Sequence, residues 1–276
     1  MVSQQELAAY QGVSFERGAN HLYLPSHPLL QPHISHYTVS FPTANDMPDS
    51  YAILPSASCT LVVSVGSASM HSRLRGVNTQ ACIVGTHANK MKLLLLIEFR
   101  PGGLRPFLQI DQQELMDISV GMELLDRPLM LAVEHVLEQA TDIGALIDGL
   151  DGVFLSRLAK RASNHAVTQI LRYIQLRRGE AAIGELACQF HYSPRQIGRM
   201  FAYHVGAGPK EFSRIVRVNH AIRILQDKLS SVADVAAQAG YFDQPHFVHD
   251  FRSICGLTPQ DYLKKMSVFY NERYKW

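Results

Sequence analysis

The sequence predicts an α+β chain, with a β-rich N-terminal part followed by helices, then an all-α C-terminal part. Three observations predict it. Short β-branched and apolar runs bounded by Gly, Ser and Asn crowd the first hundred residues. From Asp111 onward apolar residues recur at the period of one helix face. Between Ala182 and Tyr262 a single helical pattern occurs twice.

In chain order, His33 to Phe41, closed by Pro42, reads as a strand, as do Cys59 to Val65 and Thr79 to Thr86. Lys92 to Phe99, KLLLLIEF, is a continuous apolar run that fits a buried strand. Strands without helices between them suggest a barrel or sandwich. Arg100-Pro101-Gly102-Gly103 ends that last strand and is expected to turn into a helix. Leu129, Val133, Val136 and Leu137 form one helical stripe; Ile143, Leu146, Ile147 and Leu150 form another. Leu155 to Asn164 is a polar-basic connection without the Gly and Ser of a loose tether, so the two parts are expected to be held together.

The repeat begins with Ile183, Leu186, Ala187 and Phe190, an apolar stripe that Val232, Val235, Ala236 and Ala239 restate forty-nine positions later. A turn follows each stripe, then a second helix carrying Ile197 and Phe201 in the first copy and Phe247 and Phe251 in the second, now offset by fifty. Gly206 and Gly256, Pro209 and Pro259, and Phe212 and Tyr262 keep that offset. The extra residue falls in the second turn, between Tyr241 and Asp243, where a loop absorbs it. Ser193 before Pro194 is an N-cap with proline at N1, Asp243 is its counterpart, and Thr258 before Pro259 caps the last helix. Gly240 suits a left-handed turn residue; His191 stands in that place in the first copy. Short helix, turn and second helix make a helix-turn-helix, which usually lays its second helix in the DNA major groove. Between the copies, Pro209 to Gln226 should form one long helix with Phe212, Ile215, Val216, Asn219, Ile222 and Leu225 on one face.

The run DVAAQAGYFDQPHFVHDFRSICGLTPQDYL, Asp234 to Leu263, resembles the signature of the AraC/XylS family of bacterial transcription regulators. The first copy, IGELACQFHYSPRQIGRMFAYHVGAGPKEF, matches that family's other helix-turn-helix, and the resemblance covers about residues 167 to 265. It implies a seven-helix DNA-binding domain that sets two recognition helices into successive major grooves, joined by the long helix. It also implies an N-terminal cupin-like barrel. The segment IEFRPGGLRPFL, Ile97 to Leu108, looks like a motif of family members whose N-terminal domain has no assigned ligand. In the family, helices after the barrel commonly mediate dimerisation; simply covering the barrel is the alternative.

On the first recognition helix Arg195, Gln196 and Arg199 fall on the outer face. Arginine offers a donor fork that fits O6 and N7 of guanine; the bland alternative is a pair of solvated arginines or phosphate contacts. Gly198 stands where the family often places a base-reading side chain. The second recognition helix, read as Asp243 to Phe251, presents Gln244, His246 and His249, with Arg252 directly after it. Pro245 stands where the family often has a small polar residue. Without an arginine or lysine inside it, this helix is expected to position more than to specify. In the tail, 270 to 276, Arg273, Lys275 and Trp276 are expected to pack on the domain or add a DNA contact.

Charge is unevenly placed. From Ser163 onward there are 15 Lys and Arg against 9 Asp and Glu; before it there are 11 against 15. That asymmetry suits a nucleic-acid-binding half joined to one of another kind. The expected division is 1–162, an effector-sensing or dimerising domain, and 163–276, the DNA-binding domain. No run of 18 apolar residues exists, so no membrane span is expected, and the N-terminus lacks the features of a secretory leader; a cytoplasmic protein is expected. Cys188 and Cys255 read as small core residues, and a redox pair of Cys59 with Cys82 is a remote alternative. Six N-terminal histidines raise a metal-dependent cupin enzyme as a rival, but His33 and His36 are three apart rather than two, and no catalytic motif is found. No cofactor, no metal and no catalytic residue are expected, and no effector-binding residue is legible. The expected partners are double-stranded DNA, a small-molecule effector, a second copy of the chain, and RNA polymerase if the protein activates. An architectural DNA binder without a ligand is the remaining alternative.

Overall fold

The structure is a computed structural model that describes residues 1–45, 47–49, 51–158, 165–226 and 231–265. The expected boundary at 162/163 and the tail from 270 to 276 lie outside these residues.

The N-terminal part starts with α1 (Gln4–Ala9), closed at its start by a capping box between Ser3 and Glu6. Among the described residues nine strands follow: β1 (Glu16–Arg17), β2 (His21–Leu24), β3 (Ile34–Ser40), β4 (Ala52–Ile53), β5 (Thr60–Val65), β6 (Met70–Arg75), β7 (Cys82–Ile83), β8 (Leu93–Phe99) and β9 (Ser119–Gly121). Seven form one antiparallel sheet in the order β1-β2-β3-β8-β5-β6-β9, and β4 pairs with β7 in a separate ribbon. The large sheet is open: β1 and β9 are its edges, and they do not pair.

Cross-strand register gives the sheet two unlike faces, because directly paired residues point the same way. Tyr37, Val39, Ile97, Leu95, Leu61, Val63 and Leu74 share one face and are buried in the main core. Onto it pack α4 (Arg127–Gln139) and α5 (Ile143–Arg157), through Leu129, Val133, Leu137, Leu146, Leu150 and Phe154. The Tyr37 hydroxyl donates to Asp151 of α5 at 2.8 Å, which pins helix to sheet. The other face carries His36, Thr38, Glu98, Thr60, Val62, Arg73 and Arg75, and the ribbon lies over it, continued by the short helix α2 (Gly85–Ala88).

Several local expectations are corrected. Thr79 to Thr86 holds only the two residues of β7, since Thr79 turns away to bond Asp117 through its N–H and hydroxyl. After β8, residues 101 to 107 form consecutive turns rather than a helix. Between them and α4 come a 3-10 turn (Gln112–Leu115), strand β9 and α3 (Met122–Leu125), where only helix was expected. Helix α5 continues through Arg157, into the expected connection.

The C-terminal part is helical: α6 (His165–Leu176), α7 (Ile183–Phe190), α8 (Pro194–Val205), α9 (Pro209–Gln226), α10 (Val232–Gln238), α11 (Gln244–Cys255) and α12 (Pro259–Lys265). Helix α9 serves two cores. Phe212, Ile215 and Val216 join Leu186, Ile197, Phe201 and Val205 in the main core, whereas Val218, Ile222 and Leu225 join Val235, Phe247, Phe251 and Tyr262 in the second. Burial extends beyond the expected stripe to Ser213, Val218 and Ala221. One reason is that the N-terminal part covers this side too: Leu54 enters the second core, and Asn219 Nδ2 donates to the Pro55 carbonyl at 2.9 Å.

Candidate DNA-reading surface and the N-terminal cavity

Each helix pair turns through a residue with positive φ, His191 at 57° and Gly240 at 72°. Phe242, the extra residue of the second turn, is 93% exposed, as an inserted loop residue should be. Ser193 and Asp243 are the N-caps of α8 and α11, each accepting from a backbone N–H three residues on, and proline follows in the first turn of both helices. Gly206 and Gly256 end these helices with φ of 91° and 71°. At Gly206 a Cβ would also stand 2.7 Å from the Gln112 carbonyl oxygen, so glycine is needed there twice over. Thr258 caps α12 by exchanging hydrogen bonds with Asp261.

On α8, Ile197, Phe201 and Val205 face inward while Arg195, Gln196 and Arg199 are exposed. The Gln196 side chain is engaged: its Oε1 accepts from the Ser193 N–H at 2.8 Å and from the hydroxyl at 2.9 Å. Among the described residues, no hydrogen bond or ion pair engages Arg195 or Arg199. On α11, Gln244, His246, His249 and Arg252 are exposed. Helix α11 runs four residues past Phe251, so Arg252 is inside it rather than after it. The His246 ring packs edge-on against Tyr241, with centroids 5.3 Å apart, and so is less free than His249.

Sequence reasoning missed what fixes α11. Asp250 is buried; the Arg214 guanidinium of α9 donates to its Oδ1 at 2.7 Å and the Tyr241 hydroxyl to its Oδ2 at 3.1 Å. Burial, then the adjacent carboxylate, pushes the Tyr241 hydroxyl pKa up. Also missed was the face that α8 turns toward the N-terminal part. Arg105 lies 4.0 Å from the Tyr203 ring centroid, and His204 lies beside the same arginine. Ile183 and Cys188 were assigned to the core and are exposed, because α7 buries only Leu186 fully. Cys255 is buried as expected; Cys59 is buried and Cys82 exposed, and they are not joined in a disulfide.

Between the polar face of the sheet and the ribbon lies a cavity of about 400 Å³. Its floor includes His36, Thr38, Val62, Leu96 and Glu98; Tyr51, Ile53, Ile83 and Met91 stand opposite. The Thr60 hydroxyl donates to the buried Glu98 carboxylate at 2.7 Å. His36 faces this space, whereas His33 precedes β3 and packs edge-on against Phe107. Among the described residues no three His, Cys, Asp or Glu side chains gather as a metal site, and no helix is long and apolar enough to cross a membrane.

Two helix pairs, α7 with α8 and α10 with α11, flank the long helix α9. A family described as a helix-turn-helix domain matches residues 186–265, and one described as a domain of unknown function, DUF6597, matches residues 21–121. An uncharacterised HTH-type transcriptional regulator of Haemophilus influenzae is 25% identical over 53% of this chain and 56% of its own length. The chain thus spans little more than half of that relative. A probable AraC family transcriptional regulator from Rhodopseudomonas palustris shares 28% identity over 37% of this chain and 97% of that one, with a TM-score of 0.34. Vibrio cholerae ToxT overlaps 90% of this chain and 98% of its own, at 13% identity and a TM-score of 0.41. The helix-turn-helix match and the regulator relatives support the expected resemblance to the AraC/XylS family of transcription regulators.

Proposed function

We propose that this chain is a sequence-specific, cytoplasmic transcription factor that binds duplex DNA through α8 and α11 and takes a small-molecule effector in its N-terminal part. The observation that carries the reading is the unpaired, exposed arginine pair on the outer face of the capped helix α8. In this reading both helix pairs are helix-turn-helix units, 1–162 senses or assembles, and 163–276 reads DNA. Helix α9, 18 residues long, spans about 27 Å at ~1.5 Å per residue, close to one DNA turn of ~34 Å once helix widths or DNA bending are added. The sheet and ribbon act as a half-closed, cupin-like cup around the cavity. The protein is no enzyme in this reading; a second copy, and RNA polymerase if it activates, complete the partners. Selection of bound duplexes from a random pool, followed by titration of the winner against a scrambled duplex, tests the reading. A reproducible motif with clear preference supports it; equal affinity for both duplexes would leave only an architectural binder.

A further inference from the structure

We propose that the cavity under the β4–β7 ribbon is a binding site for a small organic anion with an apolar body, whose charged end is taken by Arg75. This rests on the reading of the N-terminal part as an effector domain and names the effector's chemistry. Strand β6 turns His71, Arg73 and Arg75 to the cavity from alternate positions, so three groups able to carry positive charge line one wall. Arg73 is already bonded, its guanidinium donating to the Ser119 carbonyl at 2.6 Å and to its hydroxyl at 3.1 Å. His71 lies 3.0 Å from the Ser69 hydroxyl. Arg75 is half-buried, and among the described residues no hydrogen bond or ion pair engages it. A guanidinium kept permanently charged in a partly desolvated wall is stabilised by a carboxylate or phosphate that accepts its fork.

The cavity's one buried carboxylate among the described residues, Glu98, does not serve. It lies two strands from Arg75 with Thr60 paired between them, and Thr60 is bonded to it. The remainder of the space is apolar where it faces Val62, Leu94, Leu96, Ile53 and Met91, which suits a hydrocarbon or aromatic body. A ligand neutral throughout would leave Arg75 as it is; a small hydrophilic anion would leave the apolar walls wet. The fitting ligand has both parts.

Full-length protein titrated with phenylacetate and 1-naphthoate, and with the matching neutral amides, tests this directly. The acids should bind roughly tenfold or more tightly than their amides, the gain expected of one charge-assisted pair. Arg75→Met should bring acids down to the level of amides, and Arg75→Lys should keep part of the preference. Thermal melts identify any variant that fails to fold, in which case Arg75→Lys and a Val62→Phe variant that fills the cavity decide. Acids and amides binding alike, neither acid binding, or a preference that survives Arg75→Met overturns the site. Duplex affinity without any acid is measured on the same proteins. Intact DNA binding with no acid preference sinks this site alone, whereas lost sequence preference in wild type sinks the DNA-binding reading instead.

Discussion

Arg199 and His249 occupy equivalent places, fifty positions apart, in the two copies of the repeat. Both are exposed, as alternation around a helix face foretold. What surrounds them was not legible, because it comes from residues distant in sequence. Asp250, next to His249, is the clearest case: nothing near it in sequence announces that α9 sends Arg214 to meet it. Asp250→Ala should leave the buried Tyr241 hydroxyl unpaired and the Arg214 guanidinium with only the Ser253 hydroxyl, 3.4 Å away, at a cost of about 1–3 kcal/mol in chemical denaturation; a loss under 0.5 kcal/mol would show that the network carries little. His204 offers a pH test. Burial, then Arg105, lowers its pKa below the ordinary 6.5, with Asp111 opposing and Tyr203 against its ring. Since the folded pKa lies below the unfolded one, its contribution is whole above about pH 6.5 and is lost as pH falls through the folded value. His33 and His220 shift the same way, each chiefly by burial. The melting temperature should therefore fall between pH 7 and pH 5, and His204→Gln should fall less; an identical slope would acquit His204.

Elements were legible in proportion to how local their causes are. Helix α9 has the span its pattern predicted, and α8 and α11 start at their expected caps, because a Ser or Asp shortly before Pro is a signal complete within a few residues. Strand β8 is likewise a self-contained apolar run. Strand β6 was overlooked although Ser72 and Leu74 alternate with His71, Arg73 and Arg75, since the polar residues masked the period. The ribbon was least legible: two short strands find each other only through the fold. Yet it bears on function, for Leu54 and Ala81 flank it and both reach the second helical core, where the Ala81 N–H donates to the Ile254 carbonyl at 3.0 Å. Leu54→Ala should destabilise by about 2–4 kcal/mol through the lost methyl groups and residual cavity. Hydrogen exchange should quicken in α10 and α11 more than in α7 and α8. Uniform quickening would mean that the ribbon is not tied specifically to the second pair.

At the scale of the molecule, the class and the division into a strand-rich and a helical part were legible from composition and repeat. The degree of joining was not. The main core runs from the sheet through α6 to the first half of α9, so the first helix pair shares its core with the N-terminal part. A fragment of residues 163–276 should still fold around its own stripes and bind DNA, but melt below the intact chain because the turn at Gly206 loses its cover from Val77 and Gln112; an unfolded fragment by circular dichroism would reject the proposed boundary. The central claim is that α8 specifies sequence and α11 chiefly positions. Its most direct test titrates wild type, Arg199→Ala and His249→Ala against a selected duplex and its scramble at one salt concentration. Arg199→Ala should cost roughly 1–3 kcal/mol on the selected duplex and less on the scramble, so preference falls; His249→Ala should weaken both by similar factors, as a phosphate contact does. Equal weakening of both duplexes by Arg199→Ala, with relaxed base preference in His249→Ala, would contradict the assignment.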